Sequence, residues 1–366
     1  MPRRVRVGFL FGGKSGEHEV SLASARSAMA ALDQTKYEVV PIGIDKQGRW
    51  LAGEGALKQL HAARAQSPGE DGNLAADGDA TAVAVARSQI AGRGLPLSDV
   101  DVVFPILHGP LGEDGTVQGL LELADIPYVG AGVAASAVGM DKELLKRVFS
   151  AHQLPIVKYI AVKRRLWEQD PQRSADSVEA ALPYPVFVKP ANMGSSVGIS
   201  KARDRAELHE AIKLAADYDR KIIVEQAINA REVECSVLGN DEPIASVVGE
   251  IRPHREFYDY VAKYTDGEAD LIIPADLPAA QSDEIRQLAL RAYRAVDCAG
   301  MARVDFFLER GTGRVIVNEL NTIPGFTRFS MYTKLWEASG LTYAEVIDRL
   351  IVLALERYAD KKRSGL

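Results

Sequence analysis

The chain has 366 residues, 47% of them hydrophobic, which is ample for a large core and suggests two or three domains. A formal charge of −6 and a pI near 5.7 argue against a broad nucleic-acid-binding face, so phosphate chemistry here must rest on a few local lysines and a metal. Only two cysteines occur, Cys235 and Cys298, both in apolar runs, which reads as reduced core thiols in a cytoplasmic protein. The longest apolar runs are strand-sized and broken by Pro, Gly or charge, so no membrane span is expected. The basic start MPRRVRVGFLFGG lacks the cleavage site of a signal peptide.

In chain order, residues 5–11 (VRVGFLF) read as a buried strand, followed by a glycine-rich turn and a helix near 17–32. Strands follow at 37–44 and 101–107, then a helix at 116–124. Alternating strands and helices predict a parallel sheet with helices on both sides. Residues 63–98, rich in Ala, Gly, Asp and Gln without periodicity, read as a flexible surface insertion. A second unit opens at DKELLKRVFSAHQL (141–154), with Asp141 as helix N-cap, and carries strands at 156–162, 185–189 and 221–226. A third unit has strands at 231–238 and 243–251, a long irregular run, a helix near 280–296, a hairpin over 303–321 and a C-terminal helix from about 342. There is no internal repeat.

Several segments carry chemistry. Gly8 to Ser15 matches the P-loop pattern letter for letter, but Gly8 lies inside the strand and Phe9, Leu10 and Phe11 would have to wrap phosphate, so the match is a decoy. The same segment, GGKSGEHEVS, ends a strand and opens a helix; there Glu17 either receives a substrate amine or merely complements the helix dipole. In the hairpin RVDFFLERGTGRVIVNELN, a turn centred on Thr312 sets Asp305 opposite Glu319 and Arg303 opposite Asn321, all on one face. Facing carboxylates repel, and a divalent cation reverses the sign; oxygen-only ligands favour Mg²⁺ or Mn²⁺. The alternative is a solvated polar face on which Arg303 pairs the acids, and a register slip would break the pattern.

YPVFVKPANMGSSVGIS (184–200) ends a strand at Lys189 and continues as a Gly/Ser-rich loop, suited to closing over phosphates or serving as a plain turn. Glu225 ends the strand KIIVEQAI and is either a nucleoside ligand or a loop acid; Lys142 is either a phosphate ligand or a solvated helix lysine. His108 stands at the C-terminal end of a strand, where α/β sheets bind ligands. PHREFYDYVAKYTDG (253–267) is either a packed loop or a lid carrying Lys263 and Tyr264. Ser330, in the segment after the hairpin, is either a carboxylate ligand or a helix cap.

Taken together and in this order, GGKSGEHEVS, HGPLGEDGTVQG, MDKELLKRVF, FVKPANMGSSVGIS, EFYDYVAKY, ARVDFF and NELNTIPGFT make a chain that resembles the D-alanine–D-alanine ligases of the ATP-grasp superfamily over nearly its whole length. The resemblance implies an α/β ATP-grasp fold of three domains: an N-terminal parallel-sheet domain (1–138), a central ATP-grasp domain (139–230) and a C-terminal ATP-grasp catalytic domain (231–366) with a lid loop at about 250–274. It implies ATP between the latter two, with Lys142, Lys189, Ser195, Ser196 and Lys263 toward the phosphates and Glu225 and Glu232 toward the nucleoside. Asp305, Glu319 and Asn321 would hold two Mg²⁺ ions, or Mn²⁺. Glu17 would bind the ammonium of the first D-alanine, with His108 nearby; Arg303 and the backbone at Gly325 would form an oxyanion hole; Ser330 would bind the second carboxylate; and Glu17, Ser195 and Tyr264 would form the hydrogen-bonded trio that closes the lid. Related ligases that use D-lactate replace the lid tyrosine segment, whereas EFYDYVAKY is retained, so the dipeptide is expected. The resemblance also implies a homodimer acting in peptidoglycan precursor synthesis, with no membrane or nucleic-acid partner.

Overall fold

The computed structural model describes residues 3–62, 97, 99–254 and 269–364. Among the described residues, three sheets organise the fold. The first is built from β1 (Val5–Gly12), β2 (Tyr37–Ile44), β3 (Trp50–Ala52) and β4 (Val102–Ile106), in the order β3-β2-β1-β4. β1 runs parallel to β2 and β4, and only the short edge strand β3 is antiparallel. Residues Val7 to Gly12 are buried without alternation, as expected of a central parallel strand covered on both faces. α1 (His18–Ala31) covers one face, and α2 (Glu54–Ala62) lies against β2 and β3. α3 (Thr116–Leu123) covers the other face with Val117 and Leu121. Gly8 pairs with Val40 and Val103 in mid-strand, so the P-loop match is a coincidence of letters.

After α4 (Val133–Met140), α5 (Lys142–Ala151) starts at Asp141, whose carboxylate accepts from the amides of Glu143 and Leu144 at 3.1 Å. The next layer comprises β5 (Tyr159–Lys163), α6 (Arg164–Gln169), α7 (Pro171–Ala181), β6 (Val186–Pro190), β7 (Ser200–Ala202), α8 (Arg205–Tyr218) and β8 (Lys221–Gln226). Its antiparallel sheet, ordered β5-β8-β6-β7, has its own core, including Val178, Val188, Leu208 and Ile212.

The third sheet is antiparallel, β11-β10-β9-β12-β13, from β9 (Ala230–Gly239), β10 (Ile244–Pro253), β11 (Ala269–Ile272), β12 (Gly300–Glu309) and β13 (Val315–Asn321). α9 (Ala279–Ala295) buries Ile285, Leu288 and Tyr293 against one face. α10 (Met331–Ala338) and α11 (Tyr343–Lys362) complete the chain; α11 opens with a Thr342–Glu345 capping box.

α11 returns to the first sheet, where Val346, Ile347, Leu350 and Ile351 join one core with Phe9 and Phe11. The Arg357 guanidinium stacks over the Tyr128 ring at 4.4 Å and donates to the Tyr128 carbonyl at 3.0 Å. This return brings the N-terminal sheet against the end of β13. Both cysteine thiols are buried and unlinked, and burial pushes each up to about 12. Among the described residues, no helix is long and apolar enough to cross a membrane.

Candidate functional site

The hairpin pairs in the expected register at its functional end: Arg303 faces Asn321 and Asp305 faces Glu319. A bulge follows. Phe306 pairs with Val317, so Asn318 is the extra residue on β13. Alternation along β12 buries Val304, Phe306 and Leu308 and leaves Arg303 and Asp305 on the opposite face. β9 adds a neighbour that reading the hairpin alone missed: Glu234 pairs with Asp305 from the other side, so Glu234, Asp305 and Glu319 form a row across three strands. The alternation Glu232, Glu234, Ser236 in REVECS is the signal that would have found it.

Arg303 offsets part of the charge of this row. Its Nε stands 2.7 Å from Asp305 Oδ1 and 2.9 Å from Glu234 Oε2, and a second nitrogen donates to Asp305 Oδ2 at 2.8 Å. Burial opposes its charge, but Asp305 and then Glu234 outweigh burial and raise its pKa well above the ordinary value. Asn321 Nδ2 also donates to Asp305 Oδ2, at 3.0 Å. Among the described residues, no three acidic, His or Cys side chains converge as a ready metal cage, because Asp305 is turned onto Arg303 and Asn321. The donor set is nonetheless oxygen-only and concentrates negative charge, which suits a hard divalent cation with open positions.

Lys189, at the end of β6, is buried. Burial works to lower its pKa, yet Glu225, and after it Glu319 and Glu232, hold it above the ordinary value. Those carboxylates tie the central-sheet lysine to the acid face of the third sheet. Glu225 does not face open solvent as a loop acid. Its Oε2 is 2.7 Å from Lys189 and its Oε1 2.9 Å from Lys146, a lysine the sequence reading passed over. Burial opposes its ionisation, but Lys146 and Lys189 hold its pKa down at about 2. Lys142, the first residue of α5, donates to the Met193 carbonyl at 2.6 Å and so meets the loop after β6. Ser195 and Ser196 occupy the left-handed region in that loop, at φ 49° and 60°, a conformation that costs energy and tends to persist at binding sites.

The N-terminal domain reaches the same loop. Ser195 Oγ donates to Glu17 Oε1, and a Cβ on Gly194 would stand 3.0 Å from Glu17 Oε2, so Gly194 permits the approach. Behind Glu17, His108 is buried between Ser24 Oγ (3.3 Å from Nε2) and the Ile323 carbonyl (3.1 Å from Nδ1). Burial lowers its pKa, against the pull of Glu17 and Ile323, so His108 is a neutral tie between domains. Glu113 accepts from the Gly109 amide at 2.6 Å; burial and then Glu17 raise it to about 8. It went unread because nothing periodic marks it.

Ile323 and Phe326 are buried, and Phe326 packs against Phe104 at 5.4 Å. Ser330 stands at the N-cap position of α10, but its hydroxyl does not cap that helix; it accepts from the Thr327 amide at 3.0 Å. A Cβ on Gly325 would lie 3.2 Å from Ser330 Oγ, which brings the two together. Glu232 lies two residues before Glu234 on the same strand face. Lys263, Tyr264 and most of the expected lid lie outside the described residues, as does nearly all of the expected insertion.

Comparison with known proteins covers almost the whole chain. Residues 6–131 match the family model "D-ala D-ala ligase N-terminus" and 148–352 match "D-ala D-ala ligase C-terminus". The D-alanine–D-alanine ligase of Solibacter usitatus is 52% identical over 361 residues, covering 98% of each chain. That of Heliobacterium modesticaldum is 50% identical over 360 residues, covering 98% of this chain and 97% of its own. Among solved structures, the D-alanine–D-alanine ligase of Coxiella burnetii superposes with a TM-score of 0.79 at 37% identity, covering 98% of this chain and 96% of that one. The VanG D-Ala:D-Ser ligase of Enterococcus faecalis does so with 0.79 at 34% identity, covering 96% and 100%.

Proposed function

The chain belongs to the D-alanine–D-alanine ligase family, and from that premise we propose that it joins two D-alanine molecules at the expense of ATP. The observation that carries the site assignment is that Glu225, held by Lys189 and Lys146, lies against the acid-bearing hairpin, where Lys146 meets the Asn318 carbonyl beside Glu319. Buried cations beside ordered carboxylates suit phosphoryl transfer to a carboxylate, since such chemistry is mainly positioning and charge neutralisation.

Lys142 and Lys189, with Ser195 and Ser196 on the loop between them, receive the ATP phosphates; Glu225 and Glu232 lie toward the nucleoside. Asp305, Glu319 and Asn321 would hold Mg²⁺ or Mn²⁺, which when bound neutralises phosphate charge. Glu17 takes the ammonium of the first D-alanine, and Ser195 holds its carboxylate in place. The carboxylate of that D-alanine attacks the γ-phosphorus, giving an acyl phosphate and ADP. The amine of the second D-alanine, deprotonated, attacks the acyl carbon, and phosphate leaves. Arg303 and the Gly325 backbone stabilise the oxyanion, a donor set worth on the order of 3–4 kcal/mol per group. Ser330, beside Gly325, binds the second carboxylate. His108 supports the first-substrate pocket from behind as a neutral group. By motif, Lys263 reaches the γ-phosphate and Tyr264 completes a trio with Glu17 and Ser195; both lie outside the described residues. The same reading makes the enzyme a cytoplasmic homodimer serving peptidoglycan precursor synthesis, with the dimer open to light scattering.

The experiment is ADP release with D-alanine alone and with D-serine, D-lactate or L-alanine added, read with the product mass. We expect D-alanine-dependent ADP and a dipeptide mass. ADP release that needs D-alanine yet yields only a depsipeptide or a mixed dipeptide would overturn the assignment.

A further inference from the structure

Lys146 has no part in the scheme above, yet it is the most deeply buried lysine of the site, 1% exposed on the second turn of α5. Its ammonium stands 2.9 Å from Glu225 Oε1, while Lys189 holds the other oxygen of the same carboxylate at 2.7 Å. It also lies 3.4 Å from the carbonyl of Asn318, the bulge residue of β13. One buried group therefore joins α5, the central sheet and the acid-bearing hairpin.

The charges explain why two lysines share one acid. A buried ammonium is expensive unless paired, and a buried carboxylate stripped of its partner is more so. With Lys189 as its only partner, Glu225 would be stranded each time Lys189 turned to a phosphate. With Lys146 in place, Glu225 keeps a counter-charge when Lys189 turns to an anion. We propose that Lys146 is a positioning residue for nucleotide binding: it holds Glu225 so that Lys189 is free to take a phosphate of ATP. This rests on the ligase reading and on Lys189 as its phosphate ligand.

The test is calorimetric affinity for ATP and for adenosine, with steady-state KM values, in the full chain. D-alanine-dependent ADP release by the unmodified enzyme is measured first; its absence would remove the ligase reading itself. Given that activity, Lys146→Met should lower the ratio of ATP to adenosine affinity by roughly ten- to hundredfold, the value of the one charge-assisted phosphate contact that adenosine lacks. Merely structural damage would weaken both alike, and that result, or an unchanged ATP-to-adenosine ratio, overturns the positioning role. Lys146→Arg keeps a counter-charge on Glu225 and keeps the test open should Lys146→Met not fold. Its ATP-to-adenosine ratio should stay within about threefold of the unmodified enzyme, and a fall of tenfold or more would refute the mechanism.

Discussion

Glu113 offers a sharp thermodynamic test of the first-substrate pocket. Its carboxyl is held by the Gly109 amide at 2.6 Å and accepts from the Ile323 amide, so it ties the N-terminal sheet to the segment after β13. Burial first, and Glu17 second, raise its pKa from an ordinary 4.5 to about 8. Because the folded value lies above the unfolded one, its contribution to stability is complete below pH 4.5 and is lost as pH rises to about 8. From pH 6 to pH 9, two units of that window remain, and at about 1.4 kcal/mol per unit the loss is about 3 kcal/mol. Glu113→Gln keeps an acceptor oxygen and removes the proton equilibrium. Thermal unfolding of the ligand-free protein should therefore show the variant gaining on the unmodified chain by up to about 3 kcal/mol between those pH values. A stability difference that stays constant from pH 6 to pH 9 would show that Glu113 is not a neutral acid in the folded chain. At neutral pH a protonated Glu113 adds no second negative charge beside Glu17, which suits a single substrate ammonium.

Asp305→Asn should lower kcat by at least about a hundredfold while circular dichroism stays native, since the polar, partly buried face of the hairpin and not its apolar core is changed; near-normal turnover at limiting Mg²⁺ would remove Asp305 from the metal set. Ser195→Ala removes the hydroxyl that donates to Glu17 and should raise KM for the first D-alanine roughly tenfold, more than it raises the KM for ATP; an equal or larger rise for ATP would refute the role of that hydroxyl in holding Glu17. Asp141→Ala deletes both the cap of α5 and one acid of the Lys221 pair, 2.5 Å away, and should cost about 3 kcal/mol in chemical unfolding. Thr342→Ala, a cap with no buried ion behind it, should cost only about 1 kcal/mol; equal losses at the two caps would show that the Lys221 pair adds nothing.

Period and punctuation made much of this chain readable. Unbroken apolar runs marked the parallel strands, alternation from Ala302 to Phe306 marked the functional part of β12, and Asp141 marked a helix start, because these depend on neighbours a few residues apart. The short edge strands β3 and β7, and helices such as α4 (VAASAVGM) and α7 (PQRSADSVEAA), went unread because small or sparse apolar residues leave little periodic signal. The facing of Asp305 and Glu319 was expected from a turn centred on Thr312; near the turn the strands instead pair about the Gly311–Thr312 bond, a register that would set Asp305 opposite Asn318, and the unread bulge at Asn318 restores the expected facing.

Groups brought together across long stretches of chain left no such trace. Glu17 meets Ser195, His108 meets Ile323, and Lys146 shares Glu225 with Lys189 only because three sheets and the returning α11 pack against one another. Charge states follow the same division. Side-chain type identifies an acid or a base, but burial and neighbours supplied by packing hold Glu225 ionised near pH 2 and keep Glu113 protonated to about pH 8.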